Sequence, residues 1–426
     1  MSRHASLTGF RDFYPPEFAV RTNITNAWRE SARRHAFEEY DGPPLEALEL
    51  YIEKSGEEIV GQLYNFEDKG GRPVALRPEM TPTLARMVGA RAGGLRKPIR
   101  WFSIPQLFRY ERTQRGRLRE HFQWNVDIIG ESDVSADAEV LATGLDALAV
   151  LGLGADTIVA RFNDRRLMEK LLVASGVEPA GLGAAYAAVD KLGRASVEAV
   201  KQQLAAGGVR SDVADRVLAL FEARDLGAIR SSFGADAAVA EDIDRLDAYR
   251  ACLDDLGHGD TVQFDLRIVR GLAYYTGTVF EIFDRAGALR AICGGGRYDS
   301  LLGALGGEDL PAVGFGMGDV VLGELLSDRG LLPAAEPSID WFIIAVSEAE
   351  RPLARRIATR LRGAGQSVAY ALRQQGVRGQ FKEAGARGAA LAIVIGPDEV
   401  AEGEVVVRDM KDGAERRVPV DQLPGS

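Results

Sequence analysis

The sequence predicts an α+β fold that carries a helical insertion and a small C-terminal α/β domain. Residues 121–130 alternate between apolar and polar side chains, and residues 99–111 form a second strand-like run before them. Residues 170–258 are rich in alanine, show helical periodicity and contain few strand signals. From residue 338 onward, predicted strands and helices alternate, which is typical of an α/β domain.

Each predicted element has its own local signal. The Pro-Pro pair that ends GFRDFYPPE (9–17) is compatible with a first helical turn, and apolar residues recur at helical spacing over residues 17–36. The polar, basic segment 113–120 is a predicted loop between the two strands, and a Pro-containing linker is predicted near 331–338. The other elements before that linker are predicted helices over 136–151 and 165–173 and predicted strands over 262–270 and 278–283. Those after it are predicted strands over 341–346, 367–372, 391–396 and 404–410 and predicted helices over 349–363 and 377–386.

Length and composition limit the classes to which the chain can belong. At roughly 150 residues per domain, a chain of 426 residues corresponds to about two to four domains. The two cysteines, Cys252 and Cys293, form no CxxC pair, and the four histidines show no close metal-ligand spacing, so we expect no disulfide framework and no protein metal site. The sequence has no apolar run of about 18 residues and its start lacks the apolar core of a secretory signal. We therefore expect a cytoplasmic protein without a membrane span.

The net charge of −10 alone argues against a nucleic-acid partner, but the charge is unevenly distributed. Residues 338–426 hold 13 basic and 12 acidic residues, whereas the preceding 337 residues hold 39 and 50. Within residues 351–387, nine basic residues face a single acid, Glu383. This basic stretch is either a surface for a phosphate backbone or a solvated helix face. The insertion, with ten basic and fourteen acidic residues, gives no sign of nucleic-acid contact.

Arginines crowd the loop that joins the two predicted strands. They are Arg109, Arg112, Arg115, Arg117 and Arg119. A guanidinium group binds phosphate oxygens in a two-pronged fork, so this cluster suits a polyphosphate ligand. Arg109 and Glu111 share a strand face, so one can hold a phosphate while the other accepts a hydrogen bond from an amino group. The alternative is an ordinary solvated loop.

Several motifs then resemble one family. FRYER (108–112), the basic loop and HFQWNVDIIG (121–130) resemble motif 2 of the class II aminoacyl-tRNA synthetases, and more narrowly that of the histidyl-tRNA synthetase family. The other matching segments, in chain order, are AFEEYDGPPLE (36–46, motif 1), LRPEMTPTLAR (76–86), IVRGLAYYTGTVFEIF (268–283), GGGRYDSLL (294–302) and PAVGFGMG (311–318). The resemblance covers nearly the whole chain. It implies an antiparallel catalytic core from residues 1–169 and 259–330, a helical insertion over 170–258 and an anticodon-binding domain over 338–426. Pro43 of motif 1 implies a homodimer.

The resemblance implies a binding site for L-histidine. The matching positions are Glu79, Thr81, Arg109, Gln123, Asp127, Arg270, Tyr274, Tyr275 and Tyr298. Glu79 and Thr81 would receive the α-amino group, and Asp127 would accept the N–H of the imidazole ring. The family usually has a glutamate at Asp127, so the shorter side chain must reach the ring differently. For the tyrosines, the alternative is plain core packing.

The resemblance also implies an ATP site at Arg109, Glu111, Arg117 and Phe122, with Arg109 and Arg270 as the catalytic arginines at the α-phosphate. Phe122 would stack on adenine, although the alternation of residues 121–130 puts it on the apolar face. Two departures stand out. Ala273 replaces a usual aspartate, and Gly318-Asp319-Val320-Val321 lacks the arginine with which motif 3 holds ATP.

The implied reaction is the ATP-dependent joining of L-histidine to tRNA(His) through a histidyl-adenylate, with Mg²⁺ on the pyrophosphate oxygens. The basic stretch, including Arg355 and Arg362, would meet the exposed bases of the anticodon. One alternative is a catalytically inactive paralogue with a regulatory role, similar to the ATP phosphoribosyltransferase regulatory subunit or to a tRNA-sensing module. The altered motif 3 favours it, whereas the C-terminal domain and the intact ligand positions argue against it. A class II synthetase for another amino acid is disfavoured by the 268–283 signature and Asp127.

Overall fold

The computed structural model describes residues 5–55, 57–189, 191–192, 196–223, 225–269, 275–287, 289–305, 307–333 and 339–424. The chain divides into two compact units, Met1–Leu332 and Pro333–Ser426. The division lies within the predicted linker. Residues 170–258 belong to the first unit, and their status as a separate insertion domain stays a prediction.

The first unit alternates helices and short strands. Its helices are α1 (Pro15–Arg34), α2 (Leu48–Ser55), α3 (Thr81–Gly89), α4 (Val134–Val150), α5 (Arg165–Ala174), α6 (Leu182–Val189), α7 (Val197–Ala206), α8 (Ser211–Leu220), α9 (Leu226–Phe233), α10 (Ala237–Asp255), α11 (Leu301–Ala304) and α12 (Asp319–Asp328). Its strands are β1 (Glu38–Glu39), β2 (Leu45–Ala47), β3 (Asn65–Glu67), β4 (Pro73–Leu76), β5 (Ile99–Ser103), β6 (Gln106–Phe108), β7 (Glu120–Ile129), β8 (Ile158–Asp164), β9 (Val262–Phe264), β10 (Thr278–Asp284), β11 (Cys293–Arg297) and β12 (Ala312–Gly318).

A large sheet organises the first unit. Its strand order is β1-β5-β7-β12-β11-β10-β8-β9, and β6 pairs with the N-terminal residues of β7. Strands β2-β4-β3 form a separate small sheet. The pairings from β5 through β8 are antiparallel, whereas the outermost pairs, β1 with β5 and β8 with β9, are parallel. The predicted α+β class with an antiparallel core is confirmed.

The two faces of β7 differ as the alternation predicts. Trp124, Val126 and Ile128 are fully buried in the main core. The Trp124 ring stacks on Trp28 of α1 at 6.0 Å and meets Phe315 of β12 edge-to-face at 5.1 Å. Burial of these large aromatic rings holds α1 against the sheet. The polar residues on the opposite face of β7 are thereby left to line cavities.

Two central strands are rich in glycine, and the sequence pattern did not predict them. Gly294 of β11 lies opposite Gly316 of β12, and Gly314 of β12 lies opposite Asp127 of β7. Glycine ordinarily disfavours strands because it loses more backbone entropy than other residues and offers no side chain to pack. Here β11 and β12 each pair with a neighbouring strand on both sides, and these hydrogen bonds offset the low strand preference of glycine. The missing side chains also open space on one face of the sheet.

The described residues between 170 and 258 are mainly helical, as predicted. The segment contains the second half of α5 and all of α6 to α10, and its apolar residues join the main core cluster of the first unit. Asp225 and Asp236 cap α9 and α10, because each side chain accepts hydrogen bonds from free N–H groups of the first turn. Because helices depend on local signals of this kind, alanine content and periodicity were sufficient to predict the helices of this segment.

The second unit is a small α/β domain. It contains β13 (Ile339–Ala345), α13 (Arg351–Gly363), β14 (Val368–Tyr370), α14 (Val377–Ala386), β15 (Ala389–Ile395), α15 (Pro397–Glu402), β16 (Glu404–Asp409) and β17 (Glu415–Pro419). The sheet order is β14-β13-β15-β16-β17, with the first three strands parallel and the last two antiparallel to their neighbours. The predicted, partly parallel sheet is confirmed, and β17 is an additional edge strand. In the described part of the chain, every helix is too short or too polar to cross a membrane.

Candidate active site

Two adjoining cavities lie along the polar face of β7. The smaller, of about 90 Å³, is lined among others by Glu79, Thr81, Asp127, Tyr275 and Tyr298. The larger, of about 630 Å³, is lined among others by Glu111, Arg117, His121, Glu281 and Arg290. Arg109, Gln123, Gly294 and Gly316 line both cavities. The two cavities therefore offer neighbouring places for a small and a large ligand.

The smaller cavity brings together side chains from distant parts of the chain. Glu79 and Thr81 stand at the start of α3, Gln123 and Asp127 project from β7, and Tyr298 follows β11. Seven of the nine residues predicted to bind histidine line this cavity: Glu79, Thr81, Arg109, Gln123, Asp127, Tyr275 and Tyr298. The other two, Arg270 and Tyr274, lie outside the described residues.

Asp127 is the buried acid of the smaller cavity. Its side chain accepts a short hydrogen bond from the hydroxyl of Tyr298. Burial raises the pKa of Asp127 to about 7, and the Tyr298 hydrogen bond opposes that rise only in part. The carboxyl group therefore changes charge near neutral pH, where it can accept an N–H or donate an O–H.

The glycines of β12 make room for these polar side chains. A Cβ atom on Gly314 would lie 2.1 Å from Oδ1 of Asp127, and one on Gly316 would lie 2.6 Å from Nε2 of Gln123. Neither position tolerates a side chain without moving a cavity residue. Asn125 also lines the cavity, on the face that the alternation of β7 had marked as polar. The spacing of the glycines in the sequence was the signal for this open space. It becomes informative only when the pairing of β12 with β7 is known.

The larger cavity is lined by several arginines, and it shares one of them, Arg109, with the smaller cavity. Nε of Arg109 donates to the carbonyl of Pro78 at 2.9 Å, which orients the guanidinium at the junction of the two cavities. Nε of Arg117 forms an ion pair with Glu111 at 2.9 Å. Glu111 and Arg117 are therefore brought together with Arg109, as predicted for an ATP site, and the Glu111 carboxylate is already engaged by an arginine.

His121 is a lining residue to which the sequence analysis gave no role. Burial and the positive charges of Arg109 and Arg11 lower the pKa of His121 to about 3. The ring is therefore neutral at physiological pH and adds no charge to the larger cavity. The only hint in the sequence was its position on the polar face of β7.

Phe122 lies elsewhere. Its ring packs edge-to-face against Phe13 at 6.1 Å, and the guanidinium of Arg21 sits 4.5 Å from its centre. The residue lines neither of the two cavities. The strand alternation, which put Phe122 on the apolar face, agrees with the structure, whereas its predicted stacking on adenine has no geometric support.

The altered motif 3 forms part of the wall of the larger cavity. Val320 and Val321, at the start of α12, line it. Asp319 is buried and forms an ion pair with Arg11 at 3.0 Å, and its Oδ1 accepts the backbone N–H of Phe122 at 2.9 Å. This part of motif 3 fastens α12 to β7 and provides an apolar wall.

Comparisons with known proteins agree with this architecture. The family model for histidyl-tRNA synthetase matches residues 9–318, and the model for the anticodon-binding domain matches residues 340–425. The chain belongs to the histidyl-tRNA synthetase family. It is 44% identical to the histidine–tRNA ligase of Opitutus terrae, over 99% of this chain and 98% of that protein. It is 38% identical to the chloroplastic/mitochondrial histidine–tRNA ligase of Arabidopsis thaliana, over 97% and 85%.

Solved structures give the same family fold. A histidyl-tRNA synthetase from Nostoc sp. PCC 7120 superposes with a TM-score of 0.86 at 23% identity, covering 99% of this chain and 98% of that one. A Bacillus halodurans structure described as an ATP phosphoribosyltransferase regulatory subunit/histidyl-tRNA synthetase has a TM-score of 0.76 at 23% identity, covering 93% and 99%. At that identity both show the fold alone. The prediction of a class II histidine–tRNA ligase is confirmed at the family level, and the inactive paralogue is not favoured.

The second unit of this synthetase has a basic cavity of its own. It lies beyond the carboxyl ends of β13 and β14 and is lined by, among others, Arg351, Arg355 and Arg373. Arg362 is not among the lining residues, and its guanidinium donates to the carbonyl of Val368 at 2.8 Å. Carboxyl ends of parallel strands are common ligand sites in α/β sheets. Of the two residues predicted to bind tRNA, Arg355 thus faces a cavity, and Arg362 is engaged locally.

Proposed function

We propose that this protein joins L-histidine to tRNA(His) in two steps, with a histidyl-adenylate as the intermediate. The observation that carries the proposal is the convergence of Glu79, Thr81, Gln123 and Asp127 on one small cavity, next to a larger cavity lined by arginines. The small cavity suits an amino acid, and the large one suits a nucleoside triphosphate. Binding both in adjoining cavities supplies much of the rate by orientation.

The histidine substrate meets complementary groups at both ends. A carboxylate and a hydroxyl, from Glu79 and Thr81, suit its ammonium group. Asp127, ionised above pH 7, accepts the N–H of the neutral imidazole ring while Tyr298 holds the carboxylate in place. A site built to pair with a buried N–H discriminates strongly against amino acids that lack one, because the unpaired acid would remain buried. Gln123 and Tyr275 complete the wall.

Arg109 is the proposed catalytic arginine at the reacting phosphate. It lies where the two cavities meet, and its contact with Pro78 fixes its direction before any ligand arrives. When the carboxylate of histidine attacks the α-phosphate, negative charge develops on the phosphate oxygens and a preoriented guanidinium stabilises it. The second proposed catalytic arginine, Arg270, rests on the resemblance of its sequence segment.

Glu111 and Arg117 are proposed to bind ATP together. Glu111 suits the amino group of adenine, and Arg117 suits the phosphates beyond the α-phosphate. Their ion pair orients both side chains within the cavity.

Mg²⁺ is proposed to enter with ATP. Proteins usually hold a nucleotide-bound magnesium through one or two carboxylates, with phosphate oxygens and waters completing the shell. The larger cavity has two carboxylates, Glu111 and Glu281, in its lining, and the described residues contain no cluster of three or more His, Cys, Asp or Glu ligands. This donor set fits an ion held mainly by the triphosphate, and the ion would neutralise charge on the departing pyrophosphate.

The remaining partners are proposed from charge and from motif 1. The basic cavity of the second unit, with Arg355, suits the backbone and exposed bases of the tRNA anticodon. Arg362 is proposed as a further tRNA contact on the same helix, two turns from Arg355. The match of Pro43 to motif 1 supports a homodimer. We further propose that the protein acts in the cytoplasm.

Pyrophosphate exchange tests the proposed function. Purified protein with ATP, Mg²⁺ and L-histidine is expected to incorporate labelled pyrophosphate into ATP, because adenylate formation is reversible. Other amino acids in place of histidine serve as controls. An inactive paralogue would show no histidine-dependent exchange, and that result would overturn the proposal.

A further inference from the structure

The larger cavity has a third arginine in its lining besides Arg109 and Arg117. Arg290 lies in the hairpin that joins β10 to β11, and it is not part of motif 1, 2 or 3. We propose that Arg290 binds the triphosphate of ATP and takes over the place that Val321 leaves without a charge. The inference rests on the proposed function, because it names a further residue of the same nucleotide site.

Arg290 and Val321 approach the same point of the motif 2 loop. A Cβ atom built on Gly116 would lie 3.3 Å from Cγ2 of Val321 and 3.9 Å from Cδ of Arg290. The two side chains therefore border one small region of the cavity, although one comes from the β10–β11 hairpin and the other from α12. The Arg290 side chain therefore lies near Val321, the position at which the family's motif 3 carries its arginine.

Two other arginines near this region form ion pairs outside the larger cavity. Arg115 forms ion pairs with Glu324 at 3.0 Å and Asp328 at 2.8 Å, on the outside of α12. Arg11 is paired with Glu120 and Asp319. Neither Arg115 nor Arg11 is among the residues that line the larger cavity. Within the described part of the chain, the guanidinium groups lining this cavity are those of Arg109, Arg117 and Arg290.

The hairpin holds Arg290 close to a rigid strand. Two residues later the backbone N–H of Ile292 donates to the carbonyl of Ile282 at 2.8 Å, and Ile292 and Cys293 are buried. Arg290 itself is exposed toward the cavity side. Because Arg109 and Arg117 come from motif 2 and Arg290 comes from the β10–β11 hairpin, positive charge reaches the cavity from two separate elements. Such an arrangement suits the extended charge of a triphosphate.

The test is ATP binding by the Arg290→Ala variant. Equilibrium dialysis with ATP and Mg²⁺ is expected to give a Kd roughly 10- to 100-fold above that of the unmodified protein, the loss typical of one charge-assisted hydrogen-bonding group. In pyrophosphate exchange, the KM for ATP is expected to rise by a similar factor while the KM for histidine changes less than about twofold. Arg290→Lys keeps the positive charge but not the forked guanidinium. Its Kd for ATP is expected to lie between those of the unmodified protein and Arg290→Ala.

A matched control lies on the same hairpin. Arg285 donates to the carbonyls of Ala155 at 2.6 Å and Asp260 at 3.1 Å, so it is directed away from the cavity. Arg285→Ala removes the same charge from the same loop and is expected to leave the Kd for ATP within about twofold.

A rescue variant separates ligand binding from a merely structural role. Val321→Arg in the Arg290→Ala background returns a guanidinium to the same region from α12, and it is expected to recover most of the ATP affinity. Unchanged ATP affinity in Arg290→Ala would overturn the inference, as would an equal loss in Arg285→Ala. A protein that binds ATP through Arg290 but shows no exchange would refute the proposed function and leave this inference standing.

Discussion

Two properties of Asp127 act on the charge of its carboxyl group in opposite directions. It is 5% exposed, which disfavours its charge, and its oxygen is held by the Tyr298 hydroxyl, which favours that charge. Burial has the larger effect, so the pKa lies near 7. The group is thus uncharged in mildly acidic solution and ionised in mildly alkaline solution. The ionised form is the stronger acceptor of an N–H from a neutral imidazole ring, because hydrogen bonds to an ionised group are stronger than those between neutral groups.

This titration predicts how histidine use depends on pH. Below about pH 7, kcat/KM for histidine should fall about tenfold per pH unit, because that ratio follows the ionisation of the free enzyme. Free histidine itself titrates nearby, at about 6.5, so the comparison is made with Asp127→Asn. In that variant the KM for histidine should rise roughly 10- to 100-fold. The pH dependence that comes from Asp127 should disappear, and only the part that comes from free histidine should remain. If both proteins give the same profile, Asp127 does not bind the ring.

At the scale of elements, β11 and β12 show why a glycine-rich segment can be a central strand. In β12, Gly314 faces the backbone of β7 so closely that a Cβ would lie 2.6 Å from the carbonyl oxygen of Val126. The alternation of β7 was readable in the sequence because its two faces differ chemically. The pairing of β7 with β12 was not, because the contacts that stabilise glycine strands come from neighbours distant in the sequence.

Two glycine substitutions should therefore have opposite effects. Gly314→Ala forces a methyl group against the Asp127 side chain and the Val126 carbonyl, so we expect a lower Tm and a loss of histidine binding. Gly323→Ala is the matched control, because its methyl group would lie in the interior of α12 with its nearest neighbour 3.8 Å away. It should stabilise the protein by up to about 1 kcal/mol, through the better helix propensity of alanine. Thermal unfolding followed by circular dichroism measures both, and equal effects would show that the glycine site is not specifically constrained.

For the whole molecule, the distribution of charge between the two units was a better guide to a nucleic-acid surface than the net charge. The chain carries −10 overall, yet the basic residues of 351–387 lie in the small second unit. The structure then sorts these residues further. Arg351 and Arg355 both line the basic cavity, and Arg351 also donates to the carbonyl of Leu372 at 3.1 Å. Arg387, by contrast, is paired with Glu383 at 2.9 Å and lies outside the cavity lining. Charge counting identified the region, but it gave no way to separate ligand-facing arginines from those with local partners.

Charge reversal in the second unit tests this distinction. Arg355→Glu should weaken tRNA(His) binding roughly tenfold at moderate salt and leave pyrophosphate exchange within about twofold. Arg356→Glu makes the same charge change at the next position of α13, which is exposed but lines no part of the cavity. Filter binding of labelled tRNA compares the two. An equal loss in both variants would mean that the tRNA responds to net charge and not to the cavity.

The fold class, the helical segment and most predicted ligand positions were accessible from the sequence because they depend on local periodicity or on motifs. The placement of Phe122 depended on weighing strand alternation against family resemblance, and the local pattern was the better guide. The role proposed for Arg290 had no local signal. It follows from the meeting of a hairpin and a loop that are more than 170 positions apart in the chain.

Arg109 lines both cavities, so the sites proposed for histidine and for ATP share a side chain. Occupancy of either cavity alters the surroundings of the same guanidinium. Thermodynamic linkage then requires reciprocity: the factor by which bound histidine changes the dissociation constant of ATP equals the factor by which bound ATP changes that of histidine. If both substrates bind as proposed, any coupling through the shared arginine acts equally on amino-acid recognition and on nucleotide recognition.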